Sequence, residues 1–241
     1  MPCPYPATSN REFSFVAPAP GMGVFMRYYP DSKVELQGFI ARNYDAIMNV
    51  VSLGAYGSFI RNAIAVVGIK PGDKILDLGA GSGRNALLMS RHLEGSGKIV
   101  GLEISEEMIA NFQNHAKNAK NVEVINKRID QPFDLGEKFD RTFISFVIHG
   151  FPHPVREDII RNVRNNLREG GTFAILDFNE FIVSEMPFWA RIPFTKIECK
   201  YAFDFVERDW KKILSDFGFG DFTEKAFMKN YARLLKAKKL N

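Results

Sequence analysis

Two carboxylates bracket a glycine-rich turn, and their placement defines a chemistry. Lys74 to Leu78 is a short, largely apolar run that suits a buried strand. It carries Asp77 and leads into Gly79-Ala80-Gly81-Ser82-Gly83, after which a helical pattern begins near Arg84. The next apolar run, Lys98 to Leu102, ends in Glu103, 20 positions beyond Gly83. Strand, glycine turn and helix together bring a ligand against bare backbone at a helix N-terminus. A carboxylate at the tip of the following strand accepts hydrogen bonds from the two hydroxyls of a ribose.

The spacing separates two cofactor classes. Dinucleotide sites use G-x-G-x-x-G, whose last glycine lets the helix pack close to the strand while its N-terminus faces a pyrophosphate. Here the pattern is G-x-G-x-G, and Arg84 stands at the third-glycine position. Asp77 at the strand end is unfavourable to a pyrophosphate and favourable to an ammonium. S-adenosylmethionine has an ammonium, a ribose and no phosphate, so these residues point to that methyl donor. Gly79, Ala80, Gly81 and Gly83 are expected to let the backbone approach it, because a side chain at the glycines would collide with the cofactor. Asp77 is expected to meet the methionine ammonium directly or through water, with capping of the following turn as the alternative. Glu103 is assigned to the ribose, and Ile104 to packing on the adenine. A strand-turn-helix with structural glycines only, a protein that binds the cofactor without turnover, and a dinucleotide oxidoreductase are the rival readings.

Composition bounds the setting. At 241 residues the chain is long enough to bury a full core, and a single α/β domain with additions fits. No run of about 18 apolar residues suggests a membrane span, and the N-terminus lacks the basic start and apolar core of a signal peptide. The 2 cysteines, Cys3 and Cys199, stand far apart in no metal-ligand spacing, which suits a reducing cytoplasm and neither a disulfide framework nor a metal site. A net charge of +4 permits attraction to anionic surfaces without calling for nucleic acid. The expected location is cytoplasmic, with peripheral membrane contact and a homodimer left open.

The elements that must position these residues follow in order. Residues 1–33, rich in proline and small side chains, read as an N-terminal arm, and residues 34–241 as the catalytic domain. Helical periodicity over Val34 to Val51 and Tyr56 to Val67 places two helices, 34–68, over the cofactor site. Strands and helices then alternate: a helix from Asn85 to Leu93, a helix N-capped by Ser105, a strand from Asn121 to Ile125, a strand from Phe139 to Ile148, a helix from Val155 to Leu167 and a strand from Thr172 to Phe178. That rhythm implies a parallel sheet with helices on both faces, a Rossmann-like α/β fold. Ile129 and Asp130 lie on the loop after the third strand, with Asp130 placed to accept from the adenine amino group and Ile129 to pack nearby. A plain turn acid is the alternative for Asp130. Ser145, near the end of the fourth strand, is expected under the sulfonium, or else is a small core residue. Residues 179–205 are aromatic and punctuated by proline, and read as an insert or lid. A helix from Val206 to Asp216 and two strands near Phe222 to Phe227 and Tyr231 to Lys236 close the chain.

Two stretches resemble a known family. The glycine loop with Glu103, Phe139-Asp140 and Leu167-Arg168-Glu169-Gly170-Gly171 looks like the class I S-adenosylmethionine-dependent methyltransferases. The segment Phe39-Ile40-Ala41-Arg42-Asn43-Tyr44-Asp45-Ala46-Ile47-Met48-Asn49, continuing into Ser52-Leu53-Gly54, resembles the ubiquinone/menaquinone biosynthesis C-methyltransferases, and Leu176-Asp177-Phe178 agrees with the same family. The resemblance implies a seven-stranded sheet with an antiparallel last strand, and methylation of a ring carbon of a polyprenylated quinol. One departure matters. Where that family has a Gly-Leu-Arg-Asn element after the fourth strand, this chain reads Val147-Ile148-His149-Gly150. The departure keeps a second acceptor class open, a nitrogen or oxygen on another small molecule or lipid headgroup.

A ring carbon becomes nucleophilic when a neighbouring phenol loses its proton, and histidine titrates in the right range to take it. His149 stands at the arginine position of the family element, on the loop after the fourth strand, where ligands of such sheets bind. It is the expected base, with a loop histidine of no chemical role as the alternative. His153, between two prolines, is the weaker candidate. Tyr44 is expected to close over the methionine part of the donor from the upstream helix, or to pack on the domain. The acceptor implied is a small, lipophilic molecule covered by the 179–205 insert.

Overall fold

The structure, a computed structural model, describes residues 55–241. The expected arm, the helix over Val34 to Val51 and Tyr44 lie outside the described residues. Helix α1 (Ala55–Val67) is followed by β1 (Lys74–Leu78), α2 (Arg84–Ser90), β2 (Lys98–Glu103), α3 (Glu106–Ala116), β3 (Val122–Asn126), β4 (Phe139–Ser145), α4 (His153–Asn166) and β5 (Leu167–Phe178). Helices α5 (Phe188–Ile197), α6 (Lys200–Val206) and α7 (Trp210–Asp216) come next, and β6 (Phe219–Phe227) and β7 (Ala232–Lys239) end the fold.

The seven strands form one sheet in the order β3-β2-β1-β4-β5-β7-β6. β1 pairs in parallel with both β2 and β4, and β7 runs antiparallel to both β5 and β6. The seven-stranded class I methyltransferase architecture is therefore present, with β7 the reversed strand. Strand order turns back between β1 and β4, and open sheets of this kind take their ligands beyond the strand ends at such a switch point. The loops after β1 and β4 stand on either side of it.

Both faces of the sheet are covered, which is why the central strands read as apolar runs. On one face Phe59, Ile60, Ile64, Ala86, Met89 and Phe112 pack from α1, α2 and α3 onto Ile75, Ile99 and Phe143. On the other, Ile159, Ile160 and Val163 of α4 join Phe205, Trp210 and Leu214 against Leu76, Ile144 and Phe173. Phe112 wedges under the glycine loop. A β-carbon at Gly83 would fall 2.7 Å from its ring and one at Gly101 2.9 Å, so both positions need glycine for Phe112 to fit.

Several element bounds differ from expectation for identifiable reasons. The strand expected to reach Ile148 stops at Ser145, because Phe146 turns to φ 52 while its N–H donates to the Leu176 carbonyl; a 3-10 turn, Ile148–Gly150, follows. The strand expected from Thr172 begins at Leu167, carried through Gly170 at φ 70. The 179–205 insert carries α5 and most of α6, and the single helix expected from Val206 to Asp216 begins only at Trp210, where the Asp209 carboxylate accepts the Lys212 N–H. Ser105 does cap α3, accepting the Met108 N–H at 3.4 Å, with Glu106 and Glu107 in the first turn.

Replacing Phe112 by alanine removes the wedge shared by Gly83 and Gly101. The expected cost is about 3–5 kcal/mol, read from urea unfolding, as for other large-to-small changes of a buried ring.

Candidate active site

The glycine loop is pinned before any ligand arrives. Gly79 N–H and Ala80 N–H donate to the Leu102 carbonyl at 2.8 and 3.0 Å, which draws the loop onto the tip of β2. The Glu103 carboxylate then joins three backbone donors. Oε2 accepts from Gly81 N–H at 2.9 Å, and Oε1 from Ile104 N–H and Ser105 N–H at 2.8 and 2.9 Å. A carboxylate offers about four lone-pair directions, so Glu103 keeps acceptor capacity while clasping the two loops together.

The three glycines differ in what a side chain would meet within the protein. A β-carbon at Gly79 would lie 2.7 Å from Val147, and one at Gly83 2.7 Å from Phe112. Those two positions are required by protein packing. Gly81 alone, at φ 54, has nothing within 4 Å of its would-be β-carbon among the described residues. Gly79 also ties the two halves of the switch point together, since Val147 belongs to the loop after β4.

Asp77 sits beneath this loop, 1 % exposed, and its Oδ2 has no hydrogen-bond partner among the described residues. Burial, with a smaller contribution from the negative charge of Glu103, raises its pKa from 3.8 to about 7. A buried acid without a cation is costly, and a cation placed against it recovers that cost. The site thus asks for positive charge and rejects a phosphate. The ammonium of a methionine-type donor fits it, and a dinucleotide does not.

Of the other expected contacts, Ile104 is half-buried next to Glu103 and Ala80 is buried in the loop. Ile129 and Asp130 are brought alongside, since Lys127 N–H donates to the Glu103 carbonyl at 3.0 Å. Asp130, expected to accept from an adenine amino group, is buried. Arg128 grips both of its oxygens, Nε at 3.0 Å from Oδ1 and Nη2 at 2.5 Å from Oδ2. The loop is held from below by Asn162, whose Nδ2 donates to the carbonyls of Ile129 and Gln131 at 2.9 and 2.8 Å. Ser145 is half-buried at the end of β4, facing the same edge in register with Leu176.

The second half of the site is built around His149. The side chain is buried in the 3-10 turn after β4, not turned to bulk solvent. Nδ1 lies 2.8 Å from Asp177 Oδ1, and Nε2 lies 3.6 Å from Glu198 Oε2, at the junction of α5 and α6. The rings of Phe178 and Phe205 stand 5.0 and 6.3 Å from the imidazole. Arg156, fully buried on α4, locks the turn from behind by donating to the carbonyls of Ile148 and His149 at 3.2 and 2.9 Å. It also reaches the Tyr201 carbonyl and Asp204 on α6. Burial works against the imidazolium and Arg156 opposes it too, but the charges of Asp177 and Glu198 outweigh both, so the His149 pKa lies above its ordinary value. His153 opens α4, 3.6 Å from Glu157, and burial with the charge of Arg208 lowers its pKa.

Asp177, Glu198, Arg156 and Asn162 were not singled out as site residues by sequence. Asp177 carried the same signal as Asp77, an acid at the end of an apolar strand run. Arg156 and Asn162 are polar residues on the apolar side of an amphipathic helix. Glu198 has no comparable signal, because its position depends on how α5 and α6 fold.

Residues 69–219, which include the glycine loop, both strand-tip acids and His149, match the methyltransferase domain family. The chain belongs to this family. Its methyl donor is S-adenosylmethionine, and Asp77, Gly81 and Glu103 are the groups whose geometry suits that molecule. This methyltransferase is 26% identical over 208 residues to the demethylmenaquinone methyltransferase of Staphylococcus carnosus, a match covering 78% of the chain and 85% of the relative. It is 33% identical over 147 residues to the chloroplastic 2-phytyl-1,4-beta-naphthoquinone methyltransferase of Arabidopsis thaliana, covering 58% of the chain and 55% of that protein. Among solved structures, an S-adenosylmethionine-dependent methyltransferase from Aquifex aeolicus matches with a TM-score of 0.57 at 20% identity, over 75% of this chain and 89% of that one. Human N-acetylserotonin methyltransferase in complex with S-adenosylmethionine matches with a TM-score of 0.63 at 14% identity, over 83% and 56%. Both establish the fold. No helix among the described residues is long and apolar enough to cross a membrane.

The raised pKa of Asp77 has a stability consequence. Between 3.8 and about 7 the folded chain holds a proton that the unfolded chain releases, so this residue lowers stability as pH rises through that interval. Asp77→Asn removes the titration. In thermal melts without ligand, the Tm of the variant relative to the wild type is expected to rise by several degrees between pH 4.5 and pH 8. A constant difference would show that Asp77 stays ionised.

Proposed function

We propose that the enzyme methylates a ring carbon of a hydroxylated, lipophilic aromatic acceptor of the quinol type. The observation that carries this reading is His149: a buried imidazole at the switch point, ringed by phenylalanines and held between acids. The names of the Staphylococcus and Arabidopsis relatives support the acceptor class, since both act on naphthoquinone-type molecules by name.

In this reading Asp77 takes the donor's ammonium, Glu103 accepts from the ribose hydroxyls and Ile104 packs on the adenine. The Gly81 backbone lies along the donor, Ile129 closes the adenine side, Ser145 lies under the sulfonium and Tyr44 covers the methionine part. Asp130 serves by fixing its loop through Arg128. S-adenosylmethionine supplies a methyl group already activated by its sulfonium. What the chain adds is alignment and exclusion of water. His149 Nε2 takes the proton of the acceptor hydroxyl, leaving the electron pair to enrich the ring carbon. The insert supplies an apolar wall: Phe194 stacks edge-on with Phe178, Phe181 and Phe203 at 5.3–5.5 Å. Ile182, Phe188 and Ile192 are exposed on the same segment, which suits an acceptor with a hydrocarbon tail.

A second reading keeps donor and base and moves the methyl to oxygen or nitrogen. Its support is the Val147-Ile148-His149-Gly150 turn where quinol carbon methylases carry Gly-Leu-Arg-Asn.

Two measurements test the reading. Glu103→Ala is expected to weaken donor binding roughly ten- to a hundredfold by calorimetry, the worth of about one charge-assisted hydrogen bond. With labelled donor and a demethylated naphthoquinol, methyl should appear on carbon, and His149→Gln should lower kcat roughly a hundredfold or more with donor affinity unchanged. Methyl found only on oxygen or nitrogen selects the second reading, and no transfer to any hydroxylated ring refutes the first.

A further inference from the structure

The imidazole of His149 has two nitrogens, and each faces an acid carried on a different element. Asp177, near the end of β5 and 1 % exposed, is fixed by three contacts. Oδ1 accepts from Phe178 N–H at 2.8 Å and lies 2.8 Å from His149 Nδ1, while Oδ2 lies 3.4 Å from His149 N–H. It therefore holds both the backbone and the ring of the same residue. Glu198 is of another kind. It sits on the insert, is partly exposed, and approaches Nε2 only to 3.6 Å. The strand-borne acid is built in, whereas the insert-borne acid occupies the face from which an acceptor would come.

Resting on the reading of His149 as the base, we propose that Asp177 is its positioning residue: the carboxylate fixes the Nδ1–H tautomer and aims the Nε2 lone pair at the acceptor hydroxyl, which replaces Glu198 there. A carboxylate only accepts, so a neutral imidazole bound to it must carry its proton on Nδ1. The hydroxyl proton passes to Nε2 and the O–H electron pair stays on the acceptor oxygen. The ring carbon forms the new bond to methyl, and the donor sulfur keeps the pair of the bond that breaks. The ring hydrogen then leaves to solvent as aromaticity returns, and the imidazolium reprotonates the oxygen. One proton is released in total. The Asp177 carboxylate balances the transient imidazolium, as in any histidine-acid pair. Among the described residues, the charged groups facing the ring are Asp177 from β5, Glu198 from the α5–α6 junction and Arg156 from α4.

The test is a double-mutant cycle on the intact enzyme with labelled donor and a hydroxylated naphthalene acceptor. Asp177→Asn is expected to lower kcat at least tenfold with KM and donor affinity little changed. It should move the rising limb of the pH–rate profile to lower pH by about one unit, because the imidazolium loses a negative neighbour. In a His149→Gln background the same change should cost nothing further. An equal cost in both backgrounds, or an unmoved pH limb, overturns the proposal and leaves Asp177 a structural residue. His149→Gln at full rate refutes instead the base reading on which it rests. Nitrogen chemical shifts of His149 in the labelled wild-type protein give a check independent of variant folding: a protonated Nδ1 and a bare Nε2 in the neutral ring are expected, and the opposite tautomer overturns the proposal.

Discussion

Carboxylates taken out of water at the strand tips govern this structure. Asp77 at the end of β1 and Asp177 at the end of β5 are each 1 % exposed, and Glu103 ends β2, the strand beside β1. A buried anion is stable only with a proton, a cation or several donors beside it. Each acid solves the problem differently. Glu103 gathers three backbone N–H groups, Asp177 has an imidazole and backbone donors, and Asp77 keeps one oxygen without a partner among the described residues. That inequality marks Asp77 as the place where a positive group is wanted.

The helices and loops serve this arrangement. α4 is the main brace, with Asn162 holding the loop after β3 and Arg156 holding the turn after β4. The glycine loop is braced from the opposite face by Phe112 of α3 and meets Val147 across the switch point. The loops after β1 and β4 are thus joined across the switch point by packing that involves no ligand.

The donor half was largely legible in the sequence, because its signals are local. The alternation of apolar runs and helical stretches implied a parallel sheet with Asp77 and Glu103 at the ends of successive strands, and the glycine spacing spoke against a pyrophosphate. Local signals did not tell which glycines are required by protein packing. That depends on Val147 and Phe112, which reach Gly79 and Gly83 only through the tertiary fold. Asp130 illustrates the same limit: its pairing with Arg128, two residues away, was not read from the sequence. On the loop after β4 the sequence singled out His149 and not the acids beside it. Glu198 enters through the folding of a segment read as an aromatic, proline-punctuated insert, which forms two short helices on the phenylalanine cluster.

Arg156 grips the turn that carries His149 through main-chain carbonyls, those of Ile148, His149 and Tyr201. Main-chain oxygens are the same whatever side chain stands at those positions. These contacts do not depend on the side chains at those positions, whereas the Asp204 carboxylate, 2.7 Å from Arg156 Nη1, is one that α6 must supply. A turn held largely through its main chain keeps its path when its own side chains change.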